Sequence, residues 1–442
     1  MSAGLTSVWE DVRSSLYFIP GLLVLGAAGL ASGLLVVDAA RPDLADTTSW
    51  LFGGTASAGR TLLSTIATSL ITVISIAFSV TMVALQQAAS NLTPRVLRTF
   101  TRDKGNQVVL GVYIGTFAYA LLVMRQIRES DGGADEFVPA LSISVAILLA
   151  LVAMGLLVYY IHHTSRALEV TWILGSIAAE TEEPLESLYP EELGRGRHEP
   201  PLVSALVAEL CPPGRGATEV RARDPGYLRR LDFDQLKAAT PPDATLVRVH
   251  PVMGAYVLPG ETVLSICPAR PLDEDAERSL LNALAFGAER SVEQDELFGI
   301  RQMVDIAVKA LSPGVNDPTT AEQCLDRIGA VLAQLMNRAF PSPRREADGR
   351  TYLIARWGFR EFVGQALDQI RRGAASDVKV TLHFVDVARR LAEQAPNPER
   401  RRVLDEQIEA VLDGLPADLP ERDRALITAE AARARQQLDR QL

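Results

Sequence analysis

TLLSTIATSLITVISIAFSVTMVALQQAASN, residues 61–91, is long and apolar enough to cross a bilayer, yet it is not apolar all round. Thr61, Thr65, Thr68, Thr72, Ser75, Ser79, Met82 and Gln86 recur in a strict 4-3-4-3 pattern. On a helix that spacing draws a mostly hydroxylated stripe down one face and leaves Leu, Ile, Val and Phe on the others. Such a helix needs something besides lipid tails to face: copies of itself, neighbouring helices or water.

Three further stretches reach the length of about 20 mostly apolar residues that a span requires. The expected crossings are residues 17–37, 62–85, 107–124 and 138–161, giving a four-helix transmembrane domain over 1–161. The first carries no cleavable-signal pattern and reads as a retained anchor. Gly29/Gly33 in the first span and Gly111/Gly115 in the third are small-xxx-small pairs, which let membrane helices approach closely. Arg95, Arg98, Arg102 and Lys104 fill one loop, whereas the opposite side holds Arg41 with Arg60 and Arg125 with Arg128. The positive-inside rule then places both termini in the cytoplasm of a cell whose inner membrane the chain spans.

The hydroxylated stripe supports two readings. Ser and Thr on membrane helices often bond their own i−4 carbonyl or a neighbouring helix, so the stripe can serve packing alone. Alternatively several copies surround an axis, and hydroxyls offer donors and acceptors to a partly hydrated ion. No charged residue lies between Thr61 and Asn91, which leaves pore width, or rings of Gln86, Gln87 and Asn91 near a mouth, to set selectivity. The lack of an intramembrane carboxylate in this span also argues against proton-coupled pumping.

The 442-residue chain carries a formal net charge of −10 and no basic tract, so nucleic acid is not an expected partner. Cys211, Cys267 and Cys324 are far apart and match no zinc spacing; they read as isolated core thiols of a reducing compartment. Residues 162–216 form a connecting helical segment, beginning with the adjacent interfacial pair His162 and His163. Residues 217–270 alternate like strands around a short helix at 232–239. PVMGAYVLPGETVLSI (251–266) reads as strand, turn and strand, with Pro259-Gly260 at the turn. This piece resembles barrel-sandwich hybrid domains of the lipoyl type, although Met253 and Gly254 stand near the place of the carrier lysine. The resemblance implies a small β module and no swinging arm.

Residues 271–442 read as helical, with helices expected at about 273–288, 294–311, 319–337, 360–372, 376–394, 398–412 and 421–442. Arg301, Asp305 and Lys309 form an i,i+4 ladder. In SPGVNDP (312–318), Pro313-Gly314 stops one helix, Asn316 or Asp317 caps the next, and Pro318 suits its first position. Asp305, Asn316 and Asp317 form a candidate cation or contact site, since hard cations favour such oxygens; turn chemistry alone also accounts for these residue types. No GxSxG, HExxH, Walker or GxGxxG motif occurs, so no catalytic residues, metal or cofactor are expected. His250 and His383 read as surface or packing histidines.

FSVTMVALQQAASNLTPRVL (78–97), GAYVLPGETV (254–263) and QDELFGIRQMVDIAVKALSPGVNDPTTAEQCLD (294–326) together resemble a bacterial membrane-protein family, the domain of unknown function family 2254. The resemblance runs across most of the chain. It implies architecture and a membrane location and brings no catalytic residues. The expected whole is a homo-oligomeric α-helical membrane protein with an α+β cytosolic domain. Its expected partners are the lipid bilayer, itself and ions. The leading function is a passive ion channel lined by the second span, with the cytosolic domain as a vestibule or regulatory ring. The alternative is a non-conducting scaffold or signalling adaptor.

Overall fold

Residues 17–41, 50–91, 103–128, 137–167, 169–189, 203–212, 214–291 and 294–439 are described by a computed structural model. They fall into two units, one drawn from residues 8–90 and 94–172, the other mainly from residues 173–442. Arg95, Arg98 and Arg102, on which the orientation argument leans most, lie outside the described residues, as does the end of the 78–97 motif.

The first unit consists of α1 (Phe18–Ala40), α2 (Ala56–Asn91), α3 (Lys104–Gln126) and α4 (Ala140–Ala167). All four are long and apolar enough to cross a membrane. Half of the apolar window of α3 is buried, against 11%, 17% and 22% for α1, α2 and α4, which makes α3 the hub. Its glycines admit α1. A Cβ on Gly111 would stand 2.6 Å from a Leu23 methyl and 2.9 Å from the Pro20 backbone, and one on Gly115 would stand 3.3 Å from Ala27 Cβ. Close approach of this kind is how membrane helices gain dispersion energy where lipid supplies no hydrophobic drive. Gly29 and Gly33 meet nothing within 4 Å, so only the second of the two expected glycine pairs works inside the protomer.

α2 meets the bundle through Ala56, Leu63, Leu70, Ala77 and Ala84, one buried residue every seventh position, together with Ala67. A seven-residue repeat keeps one stripe in register with a neighbouring helix. Leu63 and Ala67 share a cluster with Tyr119, Ala120 and Val123 of α3 and Ile143 and Ala146 of α4; Leu70 and Ala77 share another with Val109, Tyr113, Ala153 and Tyr160. The start of α4 is capped from a distance. The Asp38 carboxylate, at the end of α1, accepts from Leu141 N and Ser142 N at 3.0 Å each and from Ser142 Oγ at 2.6 Å. These are amides that a helix start otherwise leaves unpaired. At the other end His163 lies 2.6 Å from Asp103, whose carboxylate also accepts from Gly105 N at the start of α3.

The second unit contains α5 (Val170–Leu188), α6 (Val203–Leu210), β1 (Thr218–Arg221), β2 (Gly226–Leu231), α7 (Phe233–Ala239), β3 (Leu246–Val249), β4 (Tyr256–Val257), β5 (Thr262–Cys267), α8 (Glu274–Leu281) and β6 (Leu284–Gly287). Then follow α9 (Phe298–Ala310), α10 (Pro318–Met336), β7 (Arg344–Ala347), β8 (Arg350–Ile354), α11 (Phe359–Ala374), α12 (Val378–Glu393), α13 (Pro398–Asp413) and α14 (Glu421–Asp439). The strands make two small sheets, ordered β1-β5-β3-β8-β7 and β4-β2-β6, in which only β3–β8 is parallel. Their inner faces share one core around Val220, Leu228, Val247, Leu264, Ile266 and Tyr352.

The β structure keeps the expected strand, turn and strand at Pro259-Gly260 and differs from the sequence expectation in two places. The Pro259-Gly260 turn is present, with Gly260 at φ 83°, but it links strands of different sheets: β4 pairs with β2, and β5 pairs with β1 and β3. The helix expected over 273–288 ends at Leu281, and Leu284–Gly287 becomes a strand because β2 offers an antiparallel partner. Residues 344–354 form a hairpin that completes the larger sheet, so the β structure draws strands from well beyond residue 270. Its two-residue turn, Asp348 at φ 52° and Gly349 at φ 72°, has the left-handed conformation that matches the twist of a tight hairpin.

A further correction concerns the cysteines. Cys211 and Cys267 form a disulfide; only Cys324 is a free, buried thiol, and burial pushes its pKa up. The bond ties the end of α6 to the end of β5, two places the sequence separates widely and the sheet brings together. The helical region follows expectation closely from α9 to α14. Its centre holds Arg400, which is 2% exposed. Its guanidinium donates to Met336 O at 2.6 Å and Arg338 O at 2.9 Å, at the end of α10, and faces the rings of Phe340 and Phe359. A cation at a helix C-terminus, stacked on aromatic faces, is favourably placed on both counts.

Candidate functional site

The hydroxylated stripe lies on the side of α2 away from its buried seam. Thr61, Thr65, Thr68, Thr72, Ser75, Ser79, Met82 and Gln86 are all exposed. Packing against the described helices of the same protomer is therefore not what the stripe does. The hydroxyls are satisfied locally instead. Thr61, Thr65, Thr68, Thr72, Ser75 and Ser79 each donate to the carbonyl four residues earlier, at 2.8–3.2 Å. Each donor is spent on the helix, and the oxygen lone pairs remain on the outer surface. Ile71, Ile76, Phe78 and Val83 flank the stripe as large exposed apolar groups. The side chain of Asn91, one of the expected mouth residues, lies outside the described ones.

The second candidate set is explained by local structure. Asp317 caps α10: Oδ1 accepts from Thr320 N at 3.1 Å and Oδ2 from Thr320 Oγ1 at 2.6 Å, with Pro318 at the first helical position. Asn316 takes a left-handed φ of 49° in the turn. Asp305 pairs with Arg301 at 3.0 Å, as the i,i+4 spacing predicts. Among the described residues no group of three or more His, Cys, Asp or Glu side chains gathers in a way that could hold a metal ion. His250 bonds Ser265 Oγ at 2.7 Å and His383 bonds Asp326 at 2.9 Å, each in a packing or surface role.

The QDELFG segment holds buried polar groups outside both candidate sets. Asp295 and Glu296 are adjacent and both buried. Asp295 is held by Arg290 through two bonds, at 2.5 and 2.7 Å, and accepts from Leu297 N. Glu296 accepts from Tyr189 OH at 2.7 Å and lies 3.6 Å from Arg356. Burial raises the pKa of both carboxyls; Arg290 acts against it at Asp295, and Arg356 acts against it at Glu296. The first glycine of each soluble motif is fixed by close neighbours. Gly254 has φ 77°, and a Cβ there would stand 2.1 Å from Asp295 Oδ2; a Cβ on Gly299 would stand 1.7 Å from Thr181 Oγ1. A pair of adjacent acids before an apolar helix was the available signal, but its partners, Tyr189, Arg290 and Arg356, are not visible as a pattern in sequence.

A family model described as "Predicted membrane protein (DUF2254)" matches residues 13–390. An uncharacterised protein of Mycobacterium bovis is 33% identical over 449 residues, covering 98% of this chain and 82% of that protein. An uncharacterised protein of Mycobacterium tuberculosis strain H37Rv shows the same figures, and one of strain CDC 1551 is 32% identical over 446 residues. No solved structure matches the chain.

Proposed function

This chain belongs to the DUF2254 family of predicted membrane proteins; from that premise we propose that it forms a symmetric homo-oligomer in the bacterial inner membrane and passes cations passively along the hydroxylated side of α2. The observation that carries this reading is the outward direction of that side. A stripe of hydroxyls running from Thr61 to Ser79 is exposed in the protomer, and no charged side chain interrupts it. Several copies arranged about an axis would turn it inward, and closed rotational symmetry is the usual form of such assemblies. With the hydroxyl protons committed to backbone carbonyls, the stripe offers oxygen lone pairs, which favour cations over anions.

The test is ion flux from liposomes holding the purified protein. A potassium gradient should dissipate with wild type, and Thr72→Leu should slow the flux roughly tenfold, since a methylated constriction replaces an oxygen in a pore of this kind. Absence of flux under any gradient, with Thr72→Leu indistinguishable from wild type, removes the channel. A non-conducting scaffold acting through the second unit is favoured by a specific observation, namely that i−4 bonding leaves each hydroxyl tolerable against lipid. That reading expects a monomer, or an oligomer with the stripe in lipid, and a stoichiometric protein partner after gentle solubilisation. No enzymatic activity is proposed.

A further inference from the structure

The second unit holds a cavity of about 300 Å³ whose wall is divided sharply in character. One side is apolar: Leu188, Leu231, Phe233, Met253 and Ile354. The other carries Gln294, Glu296, Arg345, Arg356 and Trp357. The partners of the polar groups decide what the cavity lacks. Gln294 is fully engaged with the Leu231 backbone, accepting from its N–H at 2.9 Å and donating to its carbonyl at 3.4 Å. Glu296 faces Arg356 at 3.6 Å, so those two charges offset each other. Arg345 lies over the Phe233 ring at 5.3 Å and has no carboxylate within ion-pair distance among the described residues. Lys237, on the same ring, is already paired with Asp234 at 2.7 Å. Trp357 also lines the cavity, with its indole Nε1 buried away from the open space.

The cavity therefore combines one uncompensated guanidinium with an apolar half. We infer that it is a binding site for a small organic monoanion, a carboxylic acid with a compact aliphatic or aromatic body. The carboxylate takes the Arg345 fork, and the body fills the space against Leu231, Met253 and Ile354. Guanidinium groups match carboxylates bidentately, and a few polar groups in a largely apolar concavity are the usual form of a small-molecule site. A single net positive charge selects against dianions, which would also meet Glu296. The site stands independently of whether α2 conducts.

The test uses the full chain purified in detergent, titrated calorimetrically with benzoate and hexanoate, with benzyl alcohol and hexan-1-ol as neutral isosteres, and with inorganic phosphate. At least one of the two acids should bind saturably while its alcohol does not. Arg345→Gln should weaken binding roughly tenfold or more, as loss of a charge-assisted pair does. Trp357→Phe, which removes part of the cavity wall, should weaken it several-fold and abolish the ligand-induced change in intrinsic fluorescence. Because Arg345 lies at the surface end of β7, melting of the ligand-free variants should match wild type; if one variant fails to fold, the other decides. The inference is overturned if neither acid binds, if the alcohols bind as well as the acids, if phosphate binds and the acids do not, or if a folded variant binds like wild type.

Discussion

Asp295 and Glu296 show how a residue's surroundings reverse its ordinary contribution. A surface carboxylate in an ion pair usually has its pKa lowered; here burial raises both above their ordinary values, 3.8 and 4.5. The folded chain then keeps protons that the unfolded chain releases, so these groups favour folding most at low pH and progressively less as pH rises through their raised values. Glutamine at position 296 does not titrate and still accepts from Tyr189 OH. The melting temperature of Glu296→Gln relative to wild type should therefore move in the variant's favour as pH is raised from about 4.5 upward. A difference that stays flat from pH 4 to pH 8 would mean that Glu296 keeps an ordinary pKa. None of this is legible in the QDEL tetrapeptide, because both the burial and the balancing arginines come from residues distant in the chain.

Among the elements, α4 depends on a side chain of another helix. Its start has no capping residue of its own at hand, and Asp38 reaches over from α1 to serve Leu141 and Ser142. Asp38→Ala should cost about 1–3 kcal/mol, the penalty for orphaned buried donors. Asp38→Asn, which keeps one acceptor oxygen, should cost less; thermal unfolding of both variants in one detergent measures the order. The sequence made the four crossings legible, since twenty apolar residues have few other uses, and it made α9 to α14 legible, the start of α10 through its Asp317-Pro318 cap. It could not show the Asp38 cap, whose partners lie about a hundred positions away. Leu284–Gly287 is a short apolar run with no period of its own, equally compatible with a helix end, and pairing with β2 decides it. In the 344–354 hairpin the Asp348-Gly349 turn is a recognisable signal, but charged Arg344, Arg345 and Glu346 mask the alternation of the strand before it. For α2 the spacing gave the stripe itself, while its outward direction required the positions of the other three helices.

At the scale of the whole molecule, the Cys211–Cys267 bond and the arginine distribution make opposing statements about sidedness. The arginines of the 95–104 loop argue for a cytoplasmic second unit. A disulfide persists in oxidising surroundings and is reduced in the cytoplasm of most bacteria. A green fluorescent protein fused after Leu442 should fluoresce if the positive-inside reading is right, and thiol-reactive label added during lysis should then find Cys211 and Cys267 reduced. A dark fusion with an oxidised pair would reverse the orientation and, with it, which side of the membrane the Arg345 cavity opens to.

The parallel pairing of β3 with β8 has a consequence for synthesis. When a ribosome has released residues as far as Cys267, β3 already has β5 on one side, but its other edge has nothing to bond and must wait for Arg350–Ile354 to emerge. A fragment ending near residue 270 would keep that edge bare permanently, as an invitation to neighbouring nascent chains.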